Sequence, residues 1–215
     1  MPEIEHIYPD YELYGVKDTA YGFLTRGCPR GCDFCVVKDK EGRKSVKVAD
    51  LREFWNGQPK IEILDPNLIA CKDWEDLIGQ IAETGSWVNF NQGLDMRIMT
   101  PEKAEALKNV RLQNVHFAWD KYEDKDKILP KFQMFKEITG WDERKMGVYV
   151  LTNFNTTIEQ DLERIYTLRD IGFTPYVMIY NKNETRAGDP VRMMQRWCNN
   201  RFIFRSCKRF EDYRP

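Results

Sequence analysis

The chain has 215 residues, 42% hydrophobic and 31% charged, with 33 Lys and Arg against 34 Asp and Glu, for a formal charge of −1. This composition folds, so a wholly disordered chain is excluded, and the balanced charge excludes a globally basic nucleic-acid binder. No apolar run approaches the ~20 residues of a membrane span. The N-terminal stretch MPEIEHIYPDYELYG is acidic and aromatic, without a basic-then-apolar leader pattern. Residues 1–19 precede the first strand and are expected to cover one edge or end of the sheet.

From there, strand-like and helix-like stretches alternate. Strands are predicted near 20–25, 60–64, 87–91, 114–119, 147–152 and 175–180, and helices near 48–56, 73–84, 101–109, 123–139, 157–171 and 190–199. Thr100 before Pro101 and Asp189 before Pro190 have the form of N-caps followed by proline at the first helical position. Thr156 and Glu159 have capping-box spacing, and Gly140 and Gly172 stand where helices should stop. Strands each followed by a helix imply parallel pairing through crossovers. The predicted fold is α/β, a partial (β/α)6 barrel with parallel strands. It divides the chain into a cover segment (1–19), a core (20–182) and a basic, aromatic closing segment (183–215). Function in such sheets collects at the C-terminal strand ends.

The strongest signal follows the first strand. Cys28, Cys32 and Cys35 have the spacing C-x3-C-x2-C, with Gly27 and Gly31 to let the loop wrap closely and Pro29 to stiffen it. Arg26 and Arg30 favour thiolates over thiols. Three thiolates can hold three irons of a [4Fe-4S] cluster and leave the fourth open, whereas electron-carrying clusters normally have four protein ligands. A zinc knuckle is the rival reading. It needs a fourth ligand from Cys71, Cys198, Cys207, His6 or His116, and usually two closely spaced pairs.

With Phe34 just before Cys35, the loop resembles the hallmark of the radical S-adenosylmethionine (radical SAM) superfamily, and the resemblance covers most of the chain. It implies a [4Fe-4S] cluster on Cys28, Cys32 and Cys35, and S-adenosylmethionine chelating the open iron. It further implies reductive cleavage to a 5′-deoxyadenosyl radical that abstracts hydrogen from substrate. An electron donor such as flavodoxin or ferredoxin is implied as a partner. The oxygen-labile cluster and the cysteine usage point to a reducing cytoplasm.

The resemblance also assigns expectations to other strand ends. The methionyl amino group should sit after the second strand, where relatives often carry Gly-Gly-Glu and this chain has Asp65-Pro66-Asn67. Asp65 and Asn67 are candidates there, and a plain turn is the competing reading. Asn91, Gln92, Asp95 and Arg97 follow the third strand, in a segment similar to methylthiotransferase and cobalamin-dependent relatives. They line the cavity or, for Asp95 and Arg97, simply order the loop. Asp120, on the same face of the fourth strand as Asn114, His116 and Ala118, matches the position that contacts the ribose. His116 is expected in a satisfied core role. Asn153, where relatives have a glycine-rich turn near the adenine, and Tyr180 complete the candidates.

The segment 182–215 carries nine basic and four acidic residues, +5 against −6 for the rest. Trp197, Phe202, Phe204, Phe210 and Tyr213 interleave with its arginines. Two readings stand: an amphipathic element sealing the barrel, or an RNA-binding surface using Arg201, Arg205 and Arg209. The substrate is accordingly open: a small molecule, a partner-delivered group, or RNA. A non-catalytic Fe-S or zinc protein binding nucleic acid through this segment is the alternative to an enzyme. An auxiliary cluster on Cys71, Cys198 and Cys207 is not expected, since they form no compact motif.

Overall fold

The computed structural model describes residues 6–214. Residues 1–5 of the cover segment and Pro215 of the closing segment lie outside the described residues. The strands are β1 (Thr19–Gly22), β2 (Thr25–Arg26), β3 (Val46–Lys47), β4 (Lys60–Ile63), β5 (Trp87–Phe90), β6 (Leu112–Ala118), β7 (Met146–Thr152) and β8 (Thr174–Ile179). The helices are α1 (Val37–Lys40), α2 (Trp74–Glu83), α3 (Pro101–Lys108), α4 (Lys125–Thr139), α5 (Ile158–Asp170), α6 (Pro190–Asn199) and α7 (Arg201–Ser206).

Six strands form one sheet in the order β1-β4-β5-β6-β7-β8, every pair parallel. Spatial order equals chain order, so each crossover joins neighbours and winds the same way. This is the expected α/β partial barrel. Alternation along the strands separates its faces. Ala20, Ile61, Ile63, Val88, Phe90, Val115, Phe117, Val148 and Val150 are buried on one side with Leu77, Leu107, Phe132 and Phe135 of the helices. Tyr21, Glu62, Asn89, His116, Tyr149 and Tyr176 point to the other, open side, where Tyr176 is 47% exposed.

A second core joins α5, β8, α6 and α7. Trp197 is its centre, with the Tyr166, Phe204 and Phe210 rings at 5.8, 4.8 and 5.6 Å. Phe204 and Tyr213 are buried while Phe202 is 87% exposed. Four of the five tail aromatics therefore pack inward, and the arginines between them face out.

Three expectations need correcting. No helix forms over 48–56; only a 3-10 turn over Leu51–Glu53 is present, closed by an Asp50–Glu53 capping box. Pro59 and Gly57 follow too closely for the helix to lengthen. The first strand does not run unbroken to residue 25: β1 ends at Gly22, and β2 turns away to pair antiparallel with β3. The N-cap of α5 is Thr157, whose hydroxyl accepts from Gln160 N while the Gln160 side chain returns to Thr157 N. Asn153 and Asn155, both at positive φ, bend the preceding loop so that Thr157 enters the helix from extended backbone. Thr100 caps α3, and Gly140 ends α4, as expected.

Candidate active site at the C-terminal mouth of the sheet

The cysteine loop leaves β1 and is shaped before any ligand is considered. Gly27 has φ +84, and a Cβ there would lie 2.1 Å from the Lys44 carbonyl oxygen, so no other residue fits. Cys28 N donates to Gly42 O at 3.2 Å, and Cys35 N to Cys32 O at 3.1 Å. The loop thus curls back on its own backbone between Cys28 and Gly42.

Asp65 anchors the start of this loop. Its carboxylate accepts from Leu24 N at 2.9 Å, Thr25 N at 2.6 Å and the Thr25 hydroxyl at 2.5 Å. Burial pushes its pKa up to about 6 against those three hydrogen bonds. The residue expected to meet an ammonium is therefore largely committed to holding β1 to β4. Asn67 is buried beside it and donates Nδ2–H to Cys28 Sγ at 3.5 Å, while its Oδ1 has no protein partner. A buried carbonyl-type oxygen without a donor, next to a thiol, is a place where a ligand donor fits.

The middle of the loop is clamped across the mouth. Arg30 Nε donates to Asp95 Oδ2. Arg97 donates to Asp95 Oδ1 through its backbone N at 3.0 Å and its Nε at 2.8 Å, and reaches Asp124 at 3.3 Å. Burial opposes charge on Asp95, but the hydrogen bond from Arg30 and the charge of Arg97 outweigh it and hold its carboxyl below the usual range. The loop-ordering reading of Asp95 and Arg97 is the one seen here: the pair orders its own loop, and through Arg30 it also ties down the cysteine loop. Cys32 lies close to the same charges. Burial pushes its thiol up, Arg97 pulls it down, and Asp120, Cys28 and Cys35 push it up.

The far side closes through aromatic rings. Phe34 stands edge-on to Phe154 at 5.4 Å, and Phe154 to Tyr180 at 4.7 Å. Phe34 thereby links the cysteine loop to the ends of β7 and β8. Asn153 donates from Nδ2 to Tyr180 O at 3.1 Å and is itself exposed, as is Gln92. Phe154 had no signal in the sequence beyond its place after β7.

Asp120 behaves differently from Asp65 and Asp95. Burial pushes its pKa up to about 6 against the charges of Arg97 and Arg164. Among the described residues nothing donates a hydrogen bond to its carboxylate, so it is an acceptor left for a ligand. Its backbone is fixed by Arg164, which is fully buried. Arg164 donates to Trp119 O at 2.5 Å, Asp120 O at 3.1 Å and Leu151 O at 2.7 Å, and pairs with buried Asp161. One guanidinium from α5 thus sets the ends of β6 and β7. No local pattern identifies Arg164, because its partners are far apart in sequence.

Among the described residues no three His, Cys, Asp or Glu side chains gather closely enough to hold a single ion. His116 Nδ1 is 3.1 Å from Phe90 O and its ring stacks on Tyr149 at 5.0 Å, so it is satisfied as expected, though half-buried on the open face of the sheet and not in the core. His6 lies 2.5 Å from Glu53, and Cys198 is buried in the second core. Cys28, Cys32 and Cys35 are free, half-buried thiols, and three thiolates on one loop are a donor set that suits three irons of a [4Fe-4S] cluster.

The sequence matches no family model and no curated protein. Solved structures do match. The radical S-adenosylmethionine methyltransferase TsrM from Kitasatospora setae, bound to cobalamin and a [4Fe-4S] cluster, superposes with a TM-score of 0.59 at 12% identity, over 75% of this chain and 36% of that one. Streptococcus suis SuiB gives 0.56 at 12% identity, over 96% of this chain and 49% of that one. SuiB bound to S-adenosylmethionine gives 0.53 at 12% identity, over 90% and 44%. The chain shares the parallel partial-barrel fold of these proteins. The chain spans less than half the length of each of these chains. In the radical SAM frame the cysteine loop stands after the first strand of the sheet, at its C-terminal mouth. Among the described residues no helix is long and apolar enough to cross a membrane.

Proposed function

We propose that this chain is a radical SAM enzyme, holding a [4Fe-4S] cluster on Cys28, Cys32 and Cys35 with S-adenosylmethionine at the iron they leave open. The observation that carries the reading is the C-x3-C-x2-C loop of Cys28, Cys32 and Cys35 at the C-terminal mouth of a six-stranded parallel partial barrel. When bound and reduced, the cluster supplies the electron that splits the sulfonium into methionine and a 5′-deoxyadenosyl radical, which takes a hydrogen atom from substrate.

The protein's own part is positional. The Arg30–Asp95–Arg97 clamp fixes the cysteine loop against the end of β5. Asp120 offers an unpaired acceptor for a ribose hydroxyl. Asn67 Oδ1 offers another beside Cys28, suited to the methionyl ammonium in place of the committed Asp65. Asn153, Gln92 and Tyr180 line the remaining rim. Phe34, Phe154 and Tyr180 shut water out on the β8 side. The electron comes from a small reductase partner such as flavodoxin or ferredoxin, working in a reducing cytoplasm.

The test is anaerobic EPR on iron- and sulfide-reconstituted, reduced protein, with and without S-adenosylmethionine. The expected result is a [4Fe-4S] signal that changes on adding S-adenosylmethionine, with 5′-deoxyadenosine accumulating, and no cluster in Cys32→Ala. A cluster signal indifferent to S-adenosylmethionine, or bound zinc with no cluster, refutes the proposal.

A further inference from the structure

The opposite end of the sheet carries a second feature that the cysteine chemistry does not use. A cleft of about 420 Å³ opens where the starts of β7 and β8 meet α6 and α7. Six cationic side chains line it, against one carboxylate, Glu143. Some of these cations are engaged: Arg144 pairs with Asp142, Arg169 donates to Lys208 O, and Lys145 donates to Leu112 O. Arg201, Arg205 and Lys208 are exposed and have no ion pair among the described residues. Arg209, grouped with them in the sequence, instead pairs with Glu211 and lies over Tyr166.

The cleft is not only basic. Tyr176 and His116 form part of its wall, so it opens onto the inner face of the sheet. There Tyr176 meets Tyr149 edge-on at 5.9 Å, and Tyr149 stacks on His116 at 5.0 Å, making a short row of rings along that face. On α7, Phe202 does not line the cleft itself but stands 87% exposed beside it, three residues from Arg205, so ring and guanidinium are neighbours on the helix surface. An exposed phenylalanine between unpaired arginines contributes nothing to the core. It suits a flat π-face laid against it while the cations meet phosphates, the combination that binds single strands. A duplex offers no unstacked base to Phe202 or Tyr176.

We propose that this cleft binds a single-stranded nucleic acid, with Arg201, Arg205 and Lys208 on its phosphates and Phe202 and Tyr176 stacking its bases. The site lies at the base of the barrel, about 20 Å from the mouth along the seven residues of β7. It is therefore an anchoring surface, independent of the cluster and of the activity proposed above.

The experiment is fluorescence anisotropy on the full reconstituted chain, under anaerobic conditions, with labelled oligo(U) and oligo(dT) 12-mers, a 12-base-pair duplex, and inorganic polyphosphate as competitor. The expected result is binding of single strands in preference to duplex, with the RNA and DNA arms showing which sugar is favoured. The triple variant Arg201→Ala, Arg205→Ala, Lys208→Ala should weaken it on the order of 10- to 100-fold at 0.1 M salt, and flatten the log–log salt slope by about 2. The double variant Tyr176→Ala, Phe202→Ala should weaken binding about tenfold with the salt slope unchanged, a signature that loss of charge alone does not give. Cys32→Ala should bind as the parent does. Parent-like binding by the triple variant overturns the proposal, as does preference for duplex, equal competition by polyphosphate with no effect of the ring variants, or loss of binding in Cys32→Ala.

Discussion

The two ends of one sheet use charge in opposite ways. At the mouth, Arg30 and Arg97 share Asp95, Arg97 also reaches Asp124, and Arg164 is enclosed with Asp161. At the base, Arg201, Arg205 and Lys208 stand in solvent beside a single carboxylate, Glu143. Charges of the first kind hold loops and strand ends in place, and removing one leaves its partner buried and uncompensated. Charges of the second kind hold nothing in the fold and remain available to a ligand. The lesson is that basic residues in this chain must be sorted by where their nearest acid lies, not by how densely they occur in sequence.

The largest expected effect tests that contrast directly. Arg164→Met removes the donors to three backbone carbonyls and strands Asp161, which is 1% exposed. It should cost about 3–5 kcal/mol in chemical denaturation. Arg201→Ala, on the exposed face of α7, should fall within about 0.5 kcal/mol of the parent. Equal costs at both ends would break the comparison.

How much of this was legible beforehand follows the same division. The strands could be read because one face of each is apolar: β6 alternates Val115 and Phe117 toward the helices with Asn114 and His116 on the other face. The candidate cysteine site could be read because its three cysteines lie within eight consecutive residues. The false helix over 48–56 arose because Ala49, Leu51 and Phe54 are apolar at helical spacing, yet they pack from an irregular segment. The Arg164 anchor left no local trace, and of the basal cleft only the basic C-terminal segment with Arg201 and Arg205 was visible. Arg164 bridges α5 to β6 and β7, and the cleft is assembled from 143–147, 169–176 and 198–208. Such features arise only when the sheet brings distant segments together.

Asp120 sharpens the comparison, since it is the mouth carboxylate without a donor. Its pKa is pushed up from 3.8 to about 6 by burial. A carboxyl whose folded pKa lies above its unfolded value binds its proton more tightly when folded. Its contribution therefore favours the fold below pH ~4 and is lost as pH rises through 6. Asp120→Asn should match the parent near pH 4 and exceed it in stability by up to about 3 kcal/mol at pH 8, read from unfolding midpoints at each pH. A gain that does not depend on pH would mean that burial is not the cause. Asp65, raised to the same value, should show no such gain, because its three donors would lose an anionic acceptor.

The smallest effect concerns the helix that carries Arg164 to the mouth. The α5 N-terminus is closed by the reciprocal Thr157–Gln160 pair, one residue later than the Thr156–Glu159 spacing suggests. Thr157→Ala should cost about 1 kcal/mol, the usual loss for a cap hydroxyl, while Thr156→Ala should cost less than half of that. The two threonines are adjacent, and Thr156 has its own contact with the Asp161 carboxyl, so the difference weighs the cap against that weaker contact. Thr157→Ala also frays the turn that holds Asp161, and so should loosen Arg164 from the Trp119 and Leu151 carbonyls. Combined with Arg164→Met, its cost should therefore be less than additive, because the pairing that the cap protects is already gone. Full additivity would separate the cap from the anchor and confine the mouth's cohesion to the buried ion pair itself.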